Sequence, residues 1–417
     1  MKTSTIKNKE KSEIPIARLK VLGSDVWILG TAHVSRESVE DVKNIYKKFN
    51  PDVICVELCA SRYEAMRDPD RWRKLDLARV IKEKKLGLLA SSLILSSFQK
   101  KIGKTTGVQP GEEMIAACDL AVKNGRELVL ADREVRTTLL RAWRQVGFFS
   151  KLWLSSSLFA SLLVREEVPP EEIERLKKED VLADLFSTLP SRYRSVKEII
   201  VDERDLFLAG KILEAVKAFK EKNKRKKGKV FAVVGAGHLQ GIERSIKENA
   251  EVPFDTLNHI PKTSLIKQLF PWFLISALVV VLVYYINSGG KEAFQDMAIA
   301  WVLGRSLGAG IGAVIAKAHP LTILITIIMA PFTFFLVGSK LWMFSTLTEL
   351  WINKPRVEDF ENISSLTDDD AKGIFSALYR NRVLHIFWIA FMVSTGLFIG
   401  NLHFLQKLIH GLVGGIF

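Results

Sequence analysis

The stretch from Leu269 to Ile286 (LFPWFLISALVVVLVYYI) carries no charged side chain, and roughly 18 or more consecutive apolar residues match the hydrocarbon thickness of a bilayer. A chain with such a stretch is not expected to be wholly soluble. Charge is distributed accordingly. From Lys267 onward the sequence holds 11 Lys/Arg and 9 Asp/Glu, which leaves 49 against 37 before it out of totals of 60 and 46. A charged, soluble-looking front (1–261) is therefore expected to precede a membrane region (262–417). A hydrophobic content of 48% supplies enough core to exclude disorder as the main state.

Further spans are expected at Met297–Ala316, Leu321–Val337 and Val383–Gly400, for three or four transmembrane helices in all. Arg305 sits within the first of these, where a charge is costly unless it faces protein or water, so a re-entrant or interfacial segment is the alternative there. Gly304, Gly308 and Gly312 repeat a small-xxx-small spacing that lets helices approach closely, including those of a second copy in a homo-oligomer. Pro331 would kink the third stretch. Lys262 and Lys267 place the N-terminal side in the cytoplasm under the positive-inside rule. Met1–Lys20 has no apolar signal-peptide core, which fits a prokaryotic-type plasma membrane with the front domain on the cytoplasmic face. Lipid is then a partner. Cys55, Cys59 and Cys118 are too few for a disulfide framework.

The front half reads as α/β. Arg18–Leu22 and Val26–Gly30 form two strands around the turn-like Gly23-Ser24-Asp25, and Ser35 is placed to cap a helix carrying Val39, Val42, Ile45 and Phe49. Asp52–Glu57, Glu127–Ala131 and Lys229–Val234 are buried-type strands between helical patterns. The fold class expected is thus an α/β (α+β) globular domain with a mostly parallel central sheet, followed by an all-α transmembrane helical region.

Polar residues cluster where these strands end: Gly30-Thr31-Ala32-His33, Glu57, and Gly235-Ala236-Gly237-His238. In open parallel sheets the ligand crevice lies beyond the strand C-termini. Two Gly-x-x-His turns would aim His33 and His238 at one crevice beside Glu57, and two histidines with a carboxylate are a common first shell for a divalent hydrolytic metal. Either histidine alone reads more simply as a turn or core residue. On the helical segment from Ser195 to Lys220, Glu203 shares a face with Ile199, Leu206, Gly210, Leu213 and Val216. A carboxylate in that stripe is either functional or held in a structural ion-pair cluster. Arg204 and Asp205 lie beside it. Arg62 could hold a carbonyl or carboxylate, and Asp132 and Arg133 at the next strand end are candidates of the same kind.

Other signals are negative. The turn after Lys229–Val234 misses GxGxxG by one residue, and no P-loop, HExxH or CxxC motif occurs. The basic run Lys222–Lys229 lacks interleaved aromatics and reads as a solvated or lipid-touching loop, so nucleic acid is not expected as a partner. Leu86–Phe98 and Phe148–Val164 read as core helices, with a lid or membrane-surface helix as the alternative.

Taken together, GTAHVS (Gly30–Ser35), VELCASRY (Val56–Tyr63), GVQPGEEM (Gly107–Met114), LADREVRTTLLRAW (Leu130–Trp143), VDERD (Val201–Asp205) and VVGAGHLQGI (Val233–Ile242) resemble the TraB/PrgY, or pheromone-shutdown, family. That family is related to the Tiki proteases and to the erythromycin-esterase/ChaN-like fold. AHPLT (Ala318–Thr322) and VEDFEN (Val357–Asn362) fit its membrane-bound prokaryotic members. The resemblance implies a metal-dependent hydrolase with His33, His238 and Glu57 around Mn²⁺, Co²⁺ or Zn²⁺. Glu57 or Glu203 would be the general base, with Arg62 or Arg204 polarising a peptide carbonyl. Tiki-type enzymes are similar in carrying Glu-Arg-Asn where this chain has Glu203-Arg204-Asp205, so Asp205 joins Asp132 and Arg133 as a substrate contact. The competing expectation is a non-catalytic binder or scaffold that sequesters a peptide, a haem-like ligand or a partner. A channel dependent on Arg305 is a distant third.

Overall fold

The computed structural model describes residues 14–31, 36–85, 88–89, 111–147, 150–151, 194–223, 227–261, 265–334, 341–363 and 371–414. His33 and Ser35, most of Leu86–Phe98 and Phe148–Val164, and the centre of the basic run lie outside them. The chain forms two compact units, the second of which takes in Asp70–Lys84 as well as Lys262 onward.

In the first unit a five-stranded sheet has the order β1 (Ile16–Val21), β2 (Ser24–Thr31), β5 (Lys229–Gly235), β3 (Val53–Val56), β4 (Glu127–Leu130). Only β1 and β2 are antiparallel, joined through Leu22 and Gly23 with positive φ; the other pairs are parallel. The late strand β5 is thus inserted at the centre. It is buried from Val230 to Gly235, and alternation sends Val230, Ala232 and Val234 to one face and Phe231 and Val233 to the other. The first face is covered by α5 (Glu203–Lys222) and α6 (Ala236–Lys247), through Leu208, Ile212, Val216 and Ile242. The second is covered by α1 (Arg36–Phe49) and α3 (Glu112–Lys123), through Val42, Ile45, Met114 and Ala117. Helix α2 (Ala60–Arg67) follows β3, and α4 (Val135–Gln145) follows β4. A mostly parallel α/β sheet is therefore observed.

Of the stripe that periodicity predicts for helix α5 and the turn before it, Ile199, Gly210 and Val216 are buried. Asp205, Leu208, Ile212, Ala215, Val216 and Phe219 are buried, while Glu203, Leu206 and Leu213 are only half-buried. A π-helical turn at Glu198–Asp202 precedes the helix.

The second unit is helical. Leu269–Ile286 and Met297–Ala316 were expected as separate spans, but one helix, α7, runs unbroken over 51 residues from Leu265 to Ile315. It is about 77 Å long, against a hydrocarbon core of about 30 Å. Ser288, Gly289 and Gly290 between the two stretches do not break it, because a helix tolerates glycine at a cost of only about 1 kcal/mol each. Among the described residues, two segments are long and apolar enough to cross a membrane: Gln295–Ile315 and Arg382–Gln406, the latter within α10 (Arg382–Gly414). The expected span at Leu321–Val337 has its last three residues outside the described ones, and its described part forms a ten-residue helix, α8 (Pro320–Met329), followed at Pro331–Phe334 by a 3-10 turn. At about 15 Å that helix is too short to cross. Helix α9 (Leu341–Asn353) follows.

Opposite charges meet the two ends of α8. Buried Glu349 accepts the His319 N–H at its N-terminus (2.8 Å). Buried Arg305 donates to the Ala330 carbonyl at its C-terminus (2.9 Å), to Thr333 and to Asn401, and stacks over Trp301. Each charge complements the helix dipole end that it faces. Arg305 is thereby accounted for as a cap inside protein.

The glycine stripe finds its partner in the same chain. A Cβ on Gly304, Gly308 or Gly312 would collide with the carbonyl of Gly400, Gly396 or Met392 on α10. Backbones this close leave no room for a side chain. Replacing Gly308 with Val should force α7 and α10 apart and lower stability by about 1–3 kcal/mol, whereas Leu303→Ala, at an exposed position on α7, should be nearly neutral. Thermal unfolding of the purified full-length chain in detergent checks the difference.

Candidate active site

Beyond the C-terminal ends of β3 and β5, three buried carboxylates, one imidazole and one guanidinium come together. Glu57 is fixed first. One residue past β3, its Oε2 accepts the Gly235 N–H at 2.7 Å and its Oε1 accepts from Arg204 Nη2 at 2.6 Å. The same guanidinium reaches Asp132, with Nε–Oδ1 at 3.1 Å and Nη2–Oδ2 at 2.9 Å. Burial acts against the charge of Arg204, but Asp132 and Glu57 outweigh it and hold the group firmly protonated.

His238 stands in the first turn of α6. Its Nδ1 meets Asp205 Oδ1 at 2.5 Å, and its Nε2 lies 3.5 Å from Glu57 Oε1. This contact requires a glycine opposite it. A Cβ on Gly241 would run into the Asp205 carboxylate, so Gly-His-Leu-Gln-Gly supplies both the imidazole and the space for its partner. Burial alone would depress the imidazole pKa, yet Glu57 and Asp205 on either side hold it above its ordinary value of 6.5. Thr31, paired with Gly235 across β2 and β5, donates to the Val234 carbonyl and, at 3.4 Å, to the buried Glu113 at the head of α3.

The structure thus gathers Glu57, Arg204, Asp132, Asp205 and His238. His33 lies outside the described residues, two positions beyond Thr31. Glu203 goes elsewhere: its Oε2 takes Arg133 Nη1 at 2.7 Å, and both its oxygens take Arg141, at 2.6 and 3.0 Å. Arg133 is fully buried and also bonds Thr138 and the carbonyls of Ile199 and Leu257. Glu203 and Arg133 therefore belong to an adjoining ion-pair cluster. Among the described residues no hydrogen bond or ion pair joins Arg62 on α2 to Glu57 or His238. Asp205 touches His238, and Asp132 touches Arg204. Sequence reasoning missed Glu113 and Arg141, although both fall within the GVQPGEEM and LADREVRTTLLRAW segments.

A divalent cation needs neutral imidazole and carboxylate donors. With Nδ1–H donated to Asp205, Nε2 presents its lone pair beside Glu57 Oε1, the carboxylate–histidine arrangement found around metal ligands. Two donors of the expected set therefore fit. Among the described residues no group of three His, Cys, Asp or Glu side chains could hold a metal. Cys55 and Cys59 do not contribute: both are buried, and burial pushes the Cys55 thiol up to about 12.

Residues 17–254 match the model of the TraB/PrgY/gumN family, and residues 266–413 match that of the TraB family protein C-terminal domain. The chain belongs to the TraB/PrgY/gumN family. An uncharacterised protein of Methanocaldococcus jannaschii is 30% identical over 405 residues, 92% of this chain and 95% of that protein. TraB domain-containing proteins of Mus musculus and Homo sapiens are each 28% identical over 239 and 240 residues. Those matches cover 54% of this chain and 63% of each mammalian protein. The pentad Glu57, Asp132, Arg204, Asp205 and His238 lies wholly inside the TraB/PrgY/gumN segment.

Because the folded pKa of His238 is raised, the stability contributed by its protonated ring is fully present below 6.5 and is lost as pH rises through the folded value. Urea midpoints of chelator-treated protein should therefore fall across the window above 6.5. His238→Gln should flatten that fall, and an unchanged profile in the variant would remove this account.

Proposed function

We propose that this TraB-family chain is a membrane-anchored, metal-dependent hydrolase of peptides. The observation that supports it best is the Asp205–His238–Glu57 line, in which one histidine nitrogen is held by a carboxylate and the other faces a second carboxylate. His238 Nε2 and Glu57, together with His33 from the first Gly-x-x-His turn, would hold Mn²⁺, Co²⁺ or Zn²⁺. A cation of this kind supplies Lewis-acid polarisation of a substrate carbonyl at neutral pH.

The side chains have separable tasks. Asp205 orients the imidazole and favours the tautomer with Nδ1 protonated. Glu57, held by Gly235 N–H, would ligate the cation through Oε1 or, in place of that role, take a proton from water there. Arg204 cannot lose its proton, and beside Glu57 it is suited to neutralise negative charge that develops on a carbonyl oxygen. Asp132 steadies Arg204 from the opposite side. The near-complete burial of Glu57 and His238 limits water, which strengthens each of these interactions. Gln295–Ile315 and Arg382–Gln406 favour membrane anchoring, and Lys262 and Lys267 favour a cytoplasmic side for the first unit.

One observation favours a non-catalytic, peptide-sequestering role instead. Both oxygens of Glu57 already accept strong hydrogen bonds, from Arg204 and Gly235, which leaves the carboxylate less basic. The two readings separate in one experiment. Full-length protein supplied with Mn²⁺, Co²⁺ or Zn²⁺ should cleave members of a peptide library. Turnover should fall about 10–100-fold in Asp205→Asn, as for loss of a group that orients a metal-binding histidine, and vanish in His238→Ala. Saturable peptide binding without product under every metal would establish sequestration.

A further inference from the structure

Next to the pentad lies a second set of charges. Arg141 donates to the carbonyls of Thr256 (3.0 Å) and His259, and Arg133 Nη1 donates to that of Leu257 (2.9 Å). Arg144 reaches the Ile260 carbonyl at 3.5 Å. Three arginines on and just before α4 thus grip a surface strap, Thr256–Ile260, that leads to Pro261. Apart from buried Leu257 the strap is exposed or half-exposed, and Phe254 just before it packs edge-on to Phe207 over Gly210. Leu257 is its one buried side chain, so without the arginines it would open more easily.

The grip is tied to the pentad by two neighbouring dipeptides. Asp132 pairs with Arg204 while the next residue, Arg133, pairs with Glu203, the residue before Arg204. Neither dipeptide can shift without disturbing both pairs. At the head of α5, Glu203, Arg204 and Asp205 point in successive directions about 100° apart, toward the arginine grip, Glu57 and His238 respectively. A rotation of this turn moves all three. The π-helical turn just before it leaves the Ile199 carbonyl for Arg133 Nη2 at 3.0 Å. Charge balance also needs the strap: Arg133 and Arg141 share the single carboxylate of Glu203, and carbonyl dipoles of the strap supply the remaining compensation.

We propose that Arg133, Arg141 and Glu203 are positioning residues for the pentad, and that docking of the Thr256–Ile260 strap locks them so that Arg204 and Asp205 stand correctly against Glu57 and His238. This rests on the reading of Glu57 and His238 as the working site, but not on turnover. Displacing the strap would loosen the head of α5 and release the imidazole from Asp205, making the segment before Pro261 a means of regulating the site.

The test uses the full chain labelled with ¹⁵N-histidine, which has seven histidines in all. His238→Gln assigns the ring signals, and Asp205→Asn shows their position when the contact is lost. At one fixed pH, Arg141→Ala and Leu257→Ala should move the His238 signals toward the Asp205→Asn position and raise amide exchange over residues 254–260 about tenfold or more. Arg141→Lys, which keeps the charge but not the planar fork, should restore part of both. Faster strap exchange with wild-type His238 signals would overturn the coupling. Wild-type exchange in Arg141→Ala would overturn the grip itself. Failure of the wild type to bind Mn²⁺, Co²⁺ or Zn²⁺ would instead sink the metal reading and leave this result standing.

Discussion

A carboxylate taken out of water must be met by charge or by aligned donors, since breaking a buried pair costs about 3–5 kcal/mol. Glu57 is the point at which the first unit meets that demand. One oxygen is satisfied by the backbone of β5 and the other by Arg204 on α5. The carboxylate therefore ties β3, the central strand and a covering helix together at the end of the sheet where a parallel fold leaves a crevice. His238 and Asp205 complete the arrangement from α6 and α5. The same demand, repeated at Glu203, produces the neighbouring arginine grip. Site and scaffold are one continuous network of charges here, with the Asp132–Arg133 and Glu203–Arg204 dipeptides as its crossing point.

The helical unit solves a similar problem by different means. Glu349 and Arg305 match the two ends of the dipole of its short helix α8. The long helices α7 and α10 meet through glycine backbones, which allows an approach that larger side chains would prevent. Each of the ionisable groups Glu349 and Arg305 thereby has a packing reason for its burial. That weakens the reading of Arg305 as a channel residue, because all three of its nitrogens bond neutral groups, two at the break after α8 and one, Asn401, on α10.

Much was legible from local pattern. Strand β1 declares itself by alternation before a turn and β3 and β5 by short apolar runs, and parallel pairing beyond β1 follows from the helices between the strands. The Gly-x-x-His after β5 falls at the strand end, where Gly235 closes the strand and His238 enters the first turn of α6, and Glu57 ends a short apolar run that forms β3. Glu203 shows where pattern misleads. Helical spacing put it in the buried stripe, but it is only half-buried and pairs with two distant arginines, Arg133 and Arg141. Leu269–Ala316 shows the same limit: hydropathy marked two apolar stretches, and only the absence of a strong breaker between them made one helix.

The sequence by itself determined the elements, the apolar second half, and the residue types able to do chemistry, because backbone periodicity and side-chain polarity are local properties. Tertiary structure alone decided the partners. Asp205 could have met substrate or solvent, yet the close approach of α5 and α6 at Gly241 directs it to His238. Arg133 could have lined the crevice, yet burial beneath the strap directs it to Glu203. Asp70–Lys84 could have stayed with the sheet, yet Leu77 and Val357 exchange backbone hydrogen bonds with Pro355 and Leu75 in the helical unit. Partnerships of this kind join groups tens to hundreds of residues apart. They are set by which surfaces can be buried together, and no local spacing encodes that.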